Sequence, residues 1–217
     1  MKAGDVTSRR RRRADGEQTR ARVVDAAIES ILAKGYYQTS SNEIARRAGV
    51  TWGTIQHQFG TREQLLLEVM NERWHRLQRA VATATIDGDT LEARLHAVLE
   101  VLAVHYDDPA TLAHIQILLD LSFDPDTSEA AREAVEAHGA ELQRAWQPLF
   151  EQALGDAASD PLLVNYAFSV LRGFLQGNLI ATSIGAQASS RRQRALVVRG
   201  VACAIREQAA EKGHAVD

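Results

Sequence analysis

Trp52-Gly53-Thr54-Ile55-Gln56-His57-Gln58 sets indole, hydroxyl, amide and imidazole groups side by side between two glycines, Gly49 and Gly60. On a helix turning 100° per residue, Gly53 and His57 lie opposite Ile55, Thr54 and Gln56 flank them, and Trp52 stands at the leading end. That face has donors, acceptors and an aromatic edge but no acid. Thr, Gln and His can hydrogen-bond base edges, and a glycine lets backbone approach phosphate or sugar. Glycine inside a two-turn helix costs about 1 kcal/mol relative to alanine, so its presence requires a reason. The competing explanation is a helical hairpin whose polar face is merely solvated.

A second group with evident chemistry is the run Arg9-Arg10-Arg11-Arg12-Arg13. Residues 1–80 hold 15 Lys/Arg against 9 Asp/Glu, whereas residues 81–217 hold 10 against 19. A basic N-terminal part joined to an acidic body suggests a polyanionic partner for the first part only. Catalytic groupings are missing from the sequence. The seven histidines do not cluster, and there is no His-Glu-x-x-His, no cysteine pair, no glycine-rich phosphate loop and no nucleophile elbow. No catalytic residue, metal or cofactor is therefore expected, and the chain does not read as an enzyme. The single cysteine, Cys203, excludes an intrachain disulfide framework and suits a reducing, cytoplasmic setting. The apolar stretch 161–184 is interrupted by Asn165, Arg172, Gln176 and Asn178, and the N-terminus has no apolar signal core, so no membrane partner is expected.

The elements that must position these groups are helical throughout: the expected fold is all-α, with about nine helices. Val24, Ala27, Ile28 and Ile31 recur at helical spacing and predict a first helix over about 17–34, closed by Gly35. Ser40 with Glu43 starts a short second helix that Gly49 stops, Thr51 caps the third, and Thr61 with Gln64 starts a fourth running to about 85. Further helices are predicted over about 91–106, 110–123, 128–154, 161–184 and 190–212, the eighth capped by Asp160 with Pro161 at its first position. Residues 1–16 read as a disordered basic arm, 17–63 as a helix-turn-helix domain and 64–217 as an effector-binding and dimerisation domain. Two short helices hinged at a glycine form a helix-turn-helix, whose second helix enters a DNA major groove.

The same residues resemble the DNA-binding domain of TetR-type transcriptional repressors. The resemblance rests on Ala26-Ala27, Gly35-Tyr36, Thr39-Ser40, Ile44-Ala45, Ala48-Gly49-Val50, Gly53-Thr54, Phe59 and the stretch Arg62–Leu65, about a quarter of the chain. It implies a cytoplasmic homodimer that binds a palindromic double-stranded operator and releases it when a small molecule occupies the C-terminal domain. Position by position, it implies that Ser41 and Asn42 meet phosphates, that Trp52, Gly53, Thr54 and Gln56 lie along bases or backbone, and that Gln58 and Arg62 contact phosphate. Thr51, His57 and Arg9–Arg13 complete the expected DNA-binding set. Two positions depart from the family pattern: Gln56 replaces the usual Tyr, and Gly60 stands where a charge is frequent. Gln56 is thereby free to read a base.

In the C-terminal part, Ser169, Gly173, Gly177 and Ala181 fall at four-residue spacing, and Leu196, Val197, Gly200, Val201 and Ala204 share a face of the last helix. Two such helices from each of two chains would build a four-helix dimer interface. Trp74, Leu77, Leu102, His105, His114, Ile117, Leu118, Leu121, Trp146, Phe150, Phe174 and Asn178 are the candidate lining for a mostly apolar effector, since ligand cavities are apolar walls with a few placed polar groups. The alternative function is a helical protein-interaction module without sequence-specific DNA binding.

Overall fold

The computed structural model describes residues 3–212, apart from the side chains of residues 3–13 and of Gln143. Its order is α1 (Ala3–Lys34), α2 (Ser41–Ala48), α3 (Trp52–Phe59), α4 (Arg62–Thr83), α5 (Leu91–Tyr106), α6 (Ala110–Phe123), α7 (Glu129–Leu154), a short 3-10 helix (Gly155–Ser159), α8 (Pro161–Ser183) and α9 (Arg191–Glu211). Among the described residues there is no strand, so the all-α expectation holds. Residues 3–16 belong to α1, whereas the sequence reading leaves them disordered. The arginine run is thus an N-terminal extension of α1, and the side chains of Arg9–Arg13 lie outside the described residues.

Packing divides the chain into two units at places other than the expected boundary after residue 63. The first unit joins Met1–Arg73 to Leu112–Glu136, and the second joins Trp74–Thr111 to Ala137–Asp217. Ala113, Ile117 and Leu121 of α6 and Val135 of α7 share one apolar cluster with Val23, Ile31, Ile44, Ile55, Leu65 and Val69. Contacts between segments so distant along the chain leave no trace in local periodicity.

The second unit is built on Trp74, Leu95, Leu99, Leu102, Trp146, Phe150, Leu171, Leu175, Val201 and Ile205, all buried together. Its helices begin at side-chain caps. Asp160 accepts from the Leu162 amide at 3.0 Å ahead of Pro161, and Ser190 with Gln193 forms a reciprocal capping box. Arg94 of α5 donates through Nε to the Ala153 carbonyl at 2.8 Å, tying α5 to the end of α7.

Candidate nucleic-acid interface

Ser40 opens α2 by accepting from the Glu43 amide at 3.2 Å, but the Glu43 carboxylate does not close the reciprocal half of the box. It binds Arg46 at 2.8 Å, Lys34 at 3.1 Å and Arg47 at 3.7 Å instead. Hydrogen bonds from Arg46 and then Lys34 hold its carboxyl well below the usual range, at about 2. Gly49 follows in the left-handed conformation at φ 66°, and its amide returns to the carbonyls of Ala45 and Arg46. A side chain there would be strained, which is why the sharp turn between α2 and α3 falls on glycine.

Thr51 caps α3 by accepting from the Thr54 amide at 3.2 Å, and its hydroxyl also meets the Thr54 hydroxyl at 3.0 Å. Both threonines are thereby held in place, so Thr51 acts as a cap. Ile55 and Phe59 are buried and anchor the helix to the first unit. Gly53, Gln56 and His57 are exposed and Thr54 is half-buried, the arrangement that the 100° spacing predicts. Trp52 differs from expectation: it is half-buried and packs on the first unit's core, so only part of the indole faces outward. A Cβ added at Gly53 would meet only Thr51 Oγ1, at an ordinary 3.7 Å. Nothing inside the chain therefore demands glycine at this position.

Three sets of contacts hold the end of α3 and the start of α4, two of them long-range pairs that the sequence does not mark. Arg20 of α1 stacks 4.7 Å over the Phe59 ring, pairs with Glu68 of α4 at 2.8 and 3.0 Å, and donates to the Gln58 carbonyl at 3.4 Å. Thr61 and Gln64 form the expected capping box, with bonds of 3.0 and 3.1 Å. Glu63 accepts from the Ser128 amide at 3.0 Å and from its hydroxyl at 2.6 Å, so the first turn of α4 holds the residue that starts α7. No sequence signal marks these pairs, because the partners are 38 to 65 positions apart.

Two side chains expected at phosphates have partners or cover within the chain. The Arg62 guanidinium turns inward, donating to the Tyr36 hydroxyl at 3.2 Å and to the carbonyls of Tyr36 and Thr39 at 3.4 and 3.3 Å. Burial pushes the Tyr36 phenol up, with Arg62 opposing it. Gln58 is half-buried, and its Oε1 is covered without a hydrogen-bond partner. Ser41 is half-buried and Asn42 exposed at the start of α2, beside the exposed Arg46 and Arg47. The surface around α3 is thus polar or cationic, and its nearest acid on α2 is already paired.

The candidate effector residues are shared between the two units. His114, Ile117, Leu118 and Leu121 belong to the first unit, while Trp74, Leu77, Leu102, His105, Trp146, Phe150, Phe174 and Asn178 belong to the second. Trp146 and Phe150 border a groove of about 40 Å³ completed by Gln147, Val164, Asn165 and Phe168. Asn178 instead accepts from the Ser189 amide at 2.7 Å and fixes the loop before α9, and His105 stands edge-on to Tyr106 at 5.0 Å. In the candidate dimer set, Ser169, Gly173, Gly177, Leu196 and Gly200 are exposed and Val197, Ala181 and Ala204 half-buried, but Val201 is 1% exposed and belongs to the core. Among the described residues no group of His, Cys, Asp and Glu is placed to hold a metal ion, and no helix is long and apolar enough to cross a membrane.

Residues 23–69 match the family model of the bacterial regulatory proteins of the tetR family. The HTH-type transcriptional regulator SrpR of Pseudomonas putida is 38% identical over 69 residues, which is 32% of this chain and 32% of that protein. The HTH-type transcriptional regulator LmrA of Bacillus subtilis is 22% identical over 163 residues, 75% of this chain and 85% of its own length. The match to the first of these relatives thus spans about a third of its length. The transcriptional regulator FadR of B. subtilis, solved in complex with stearoyl-CoA, has the same fold, with a TM-score of 0.57 at 17% identity over 85% of this chain and 96% of its own. Residues 23–69 are thus a helix-turn-helix domain of the tetR-family type.

Proposed function

We propose that the protein is a ligand-responsive DNA-binding regulator of transcription that acts as a homodimer on a palindromic operator, as a repressor released by a small molecule. The observation that carries this reading is α3 itself: a short helix fixed at both ends, presenting Gly53, Gln56 and His57 to solvent, with a glycine that internal packing does not require. A helix entering the major groove contacts bases and backbone through such a face. The cationic last turn of α2, with Arg46 and Arg47, and the arginine run of α1 supply the sequence-independent attraction to phosphate.

The exposed row Ser169, Gly173 and Gly177 on α8, with Leu196 and Gly200 on α9, supports a dimer interface. Exposed Leu162 and Ile180 of α8, with Ile184 just past its end, add apolar area. Small residues let helices approach closely, and a twofold pair would hold two α3 helices one helical turn apart, roughly 34–36 Å. The ligand belongs in the second unit, where a groove with aromatic and amide walls is available. That FadR was solved with stearoyl-CoA supports small-molecule control in a protein of this fold.

The test is selection from a random duplex library by the purified protein. The reading requires enrichment of an inverted repeat with half-site centres about 10 base pairs apart or a multiple of that, bound with an affinity that falls steeply with salt. Recovery of no enriched sequence, with weak binding indifferent to base order, would leave a helical interaction protein as the better description.

A further inference from the structure

The groove on the second unit has features that its apolar walls do not explain. Trp146, Gln147 and Phe150 line it from α7, and Val164, Asn165 and Phe168 line it from α8. Trp146 is 1% exposed, yet its Nε1 has no hydrogen-bond partner. A buried indole N–H left without an acceptor bears its full desolvation cost, and native interiors rarely leave one so. Phe150 and Phe168 meet edge to face at 6.0 Å and give the groove its aromatic wall.

Asn165, Phe168 and Arg172 follow at i, i+3 and i+7, a single stripe along α8. Arg172 is half-buried, and its guanidinium stands 5.6 Å from the Phe168 ring that lines the groove. Its Nε donates to the Tyr106 hydroxyl at 3.1 Å. Burial pushes that phenol up, against the opposing pull of Arg172, so it stays neutral near pH 7 and offers no countercharge. Among the described residues no carboxylate forms an ion pair with Arg172. Arg194 and Arg206 of the same unit do meet carboxylates, Arg194 those of Asp107 and Glu100 and Arg206 that of Glu92. A half-buried guanidinium without a carboxylate partner, one turn from an aromatic groove with an unpaired N–H, is a place for an acid.

We propose that this groove binds a small organic monocarboxylate, its carboxylate on Arg172, its hydrocarbon on Phe150 and Phe168, and a further acceptor within reach of Trp146 Nε1. The inference rests on the reading of the second unit as the ligand-binding part, and it replaces His105, His114 and Asn178 with Arg172 and Trp146 as the polar anchors. A single cation on a body rich in acidic residues favours one negative charge over several. The volume of about 40 Å³ exceeds the roughly 10–15 Å³ that one water needs and falls short of the roughly 150 Å³ that encloses a benzene ring. Only the narrow part of a ligand fits inside, and the rest lies at the rim beside exposed Gln147 and Asn165. The Trp146 N–H is covered as it stands, so binding must shift the ring's neighbours and alter its emission.

The experiment is calorimetric titration of the full-length protein, without DNA, with benzoate, phenylacetate and hexanoate, each beside its neutral amide. At least one acid should bind once per chain, with its amide weaker by about tenfold or more. Arg172→Gln should abolish that preference by weakening the acid far more than its amide, and Trp146→Phe should weaken acid and amide alike. If Arg172→Gln fails to fold by circular dichroism, Arg172→Lys serves, with an intermediate preference expected because the charge remains and the fork is lost. No binding by any acid up to about 10 mM, equal affinity for acid and amide, or an unaltered preference in the Arg172 variant would overturn the proposal. DNA binding is measured separately. Acid binding without any DNA binding would uphold the site and overturn the regulator reading, whereas DNA binding without acid binding would overturn the site alone.

Discussion

The Arg62 guanidinium lies 4.5 Å over the Tyr36 ring while donating a hydrogen bond to the hydroxyl of that same residue. Arg62 is the first residue of α4, directly after the turn that ends α3, and Tyr36 lies between α1 and α2. One side chain thus fixes the end of the recognition helix to the turn that starts the motif. Arg62→Ala should lower the stability of the protein by about 1–3 kcal/mol, the range for hydrogen bonds to a charged group. It should weaken binding to every DNA sequence in similar proportion. Arg62→Lys should recover little of the stability, because an ammonium cannot reach a hydroxyl and two carbonyls from one fork. Thermal unfolding of the three proteins checks this, and unchanged Tm in Arg62→Ala would restore a free phosphate-contacting role.

Gly53 separates the demands of folding from those of binding. An added methyl has room, and alanine is the better helix former by about 1 kcal/mol. Gly53→Ala should therefore raise Tm and still weaken DNA binding, by steric exclusion from the groove. Chemical denaturation and fluorescence anisotropy on one preparation measure both. A stabilised variant with undiminished affinity would show that α3 does not approach the backbone at this position.

Gly177 offers the corresponding test of assembly. Nothing lies within 4 Å of a Cβ built there, so Gly177→Leu should fold normally as a subunit. If α8 crosses its partner at this point, the leucine pushes the helices apart. Sedimentation should then find monomer, and affinity for a two-half-site duplex should fall to that of a single half-site. A dimeric Gly177→Leu protein would move the interface to another surface.

Glu43 gives a pH dependence of known sign. Its carboxyl is depressed to about 2 by Arg46 and Lys34, below the ordinary value of 4.5. A group depressed on folding stabilises the native state above its unfolded value and loses that contribution as pH falls through its folded one. Glu43→Gln should therefore have a lower Tm than the parent protein at pH 7, and the gap should close between pH 4.5 and about 2. A gap that persists at the acid end would mean that the charge of Glu43 is not what the cluster uses.

The helices and their ends were legible because their causes are local. Ser40, Thr51, Thr61, Asp160 and the turn glycines Gly49 and Gly60 act within four residues of themselves, and periodicity marked Ile55 and Phe59 as the buried edge of α3. What escaped was long-range pairing. Arg62 looks like any cation after a recognition helix until Tyr36 and Thr39 are placed beside it. Val201 shares a helical face with Leu196 and Gly200 on paper, but one step of rotation puts it in the core. Nothing local says that Ile117 and Leu121 of α6 pack with the helix-turn-helix residues in the first unit.

The most direct test of α3 as the reading element is Gln56→Ala measured against every single-base variant of a selected operator. Gln56 is exposed on the face opposite the buried edge and bears an amide that can bond a base edge on both its atoms. The account predicts a loss of about 1–3 kcal/mol confined to the symmetry-related base pair of each half-site, with discrimination at that pair relaxed and all other positions unchanged. Uniform weakening across all variants would make Gln56 a backbone contact, and no change at any position would contradict the assignment of α3 as the helix that reads DNA.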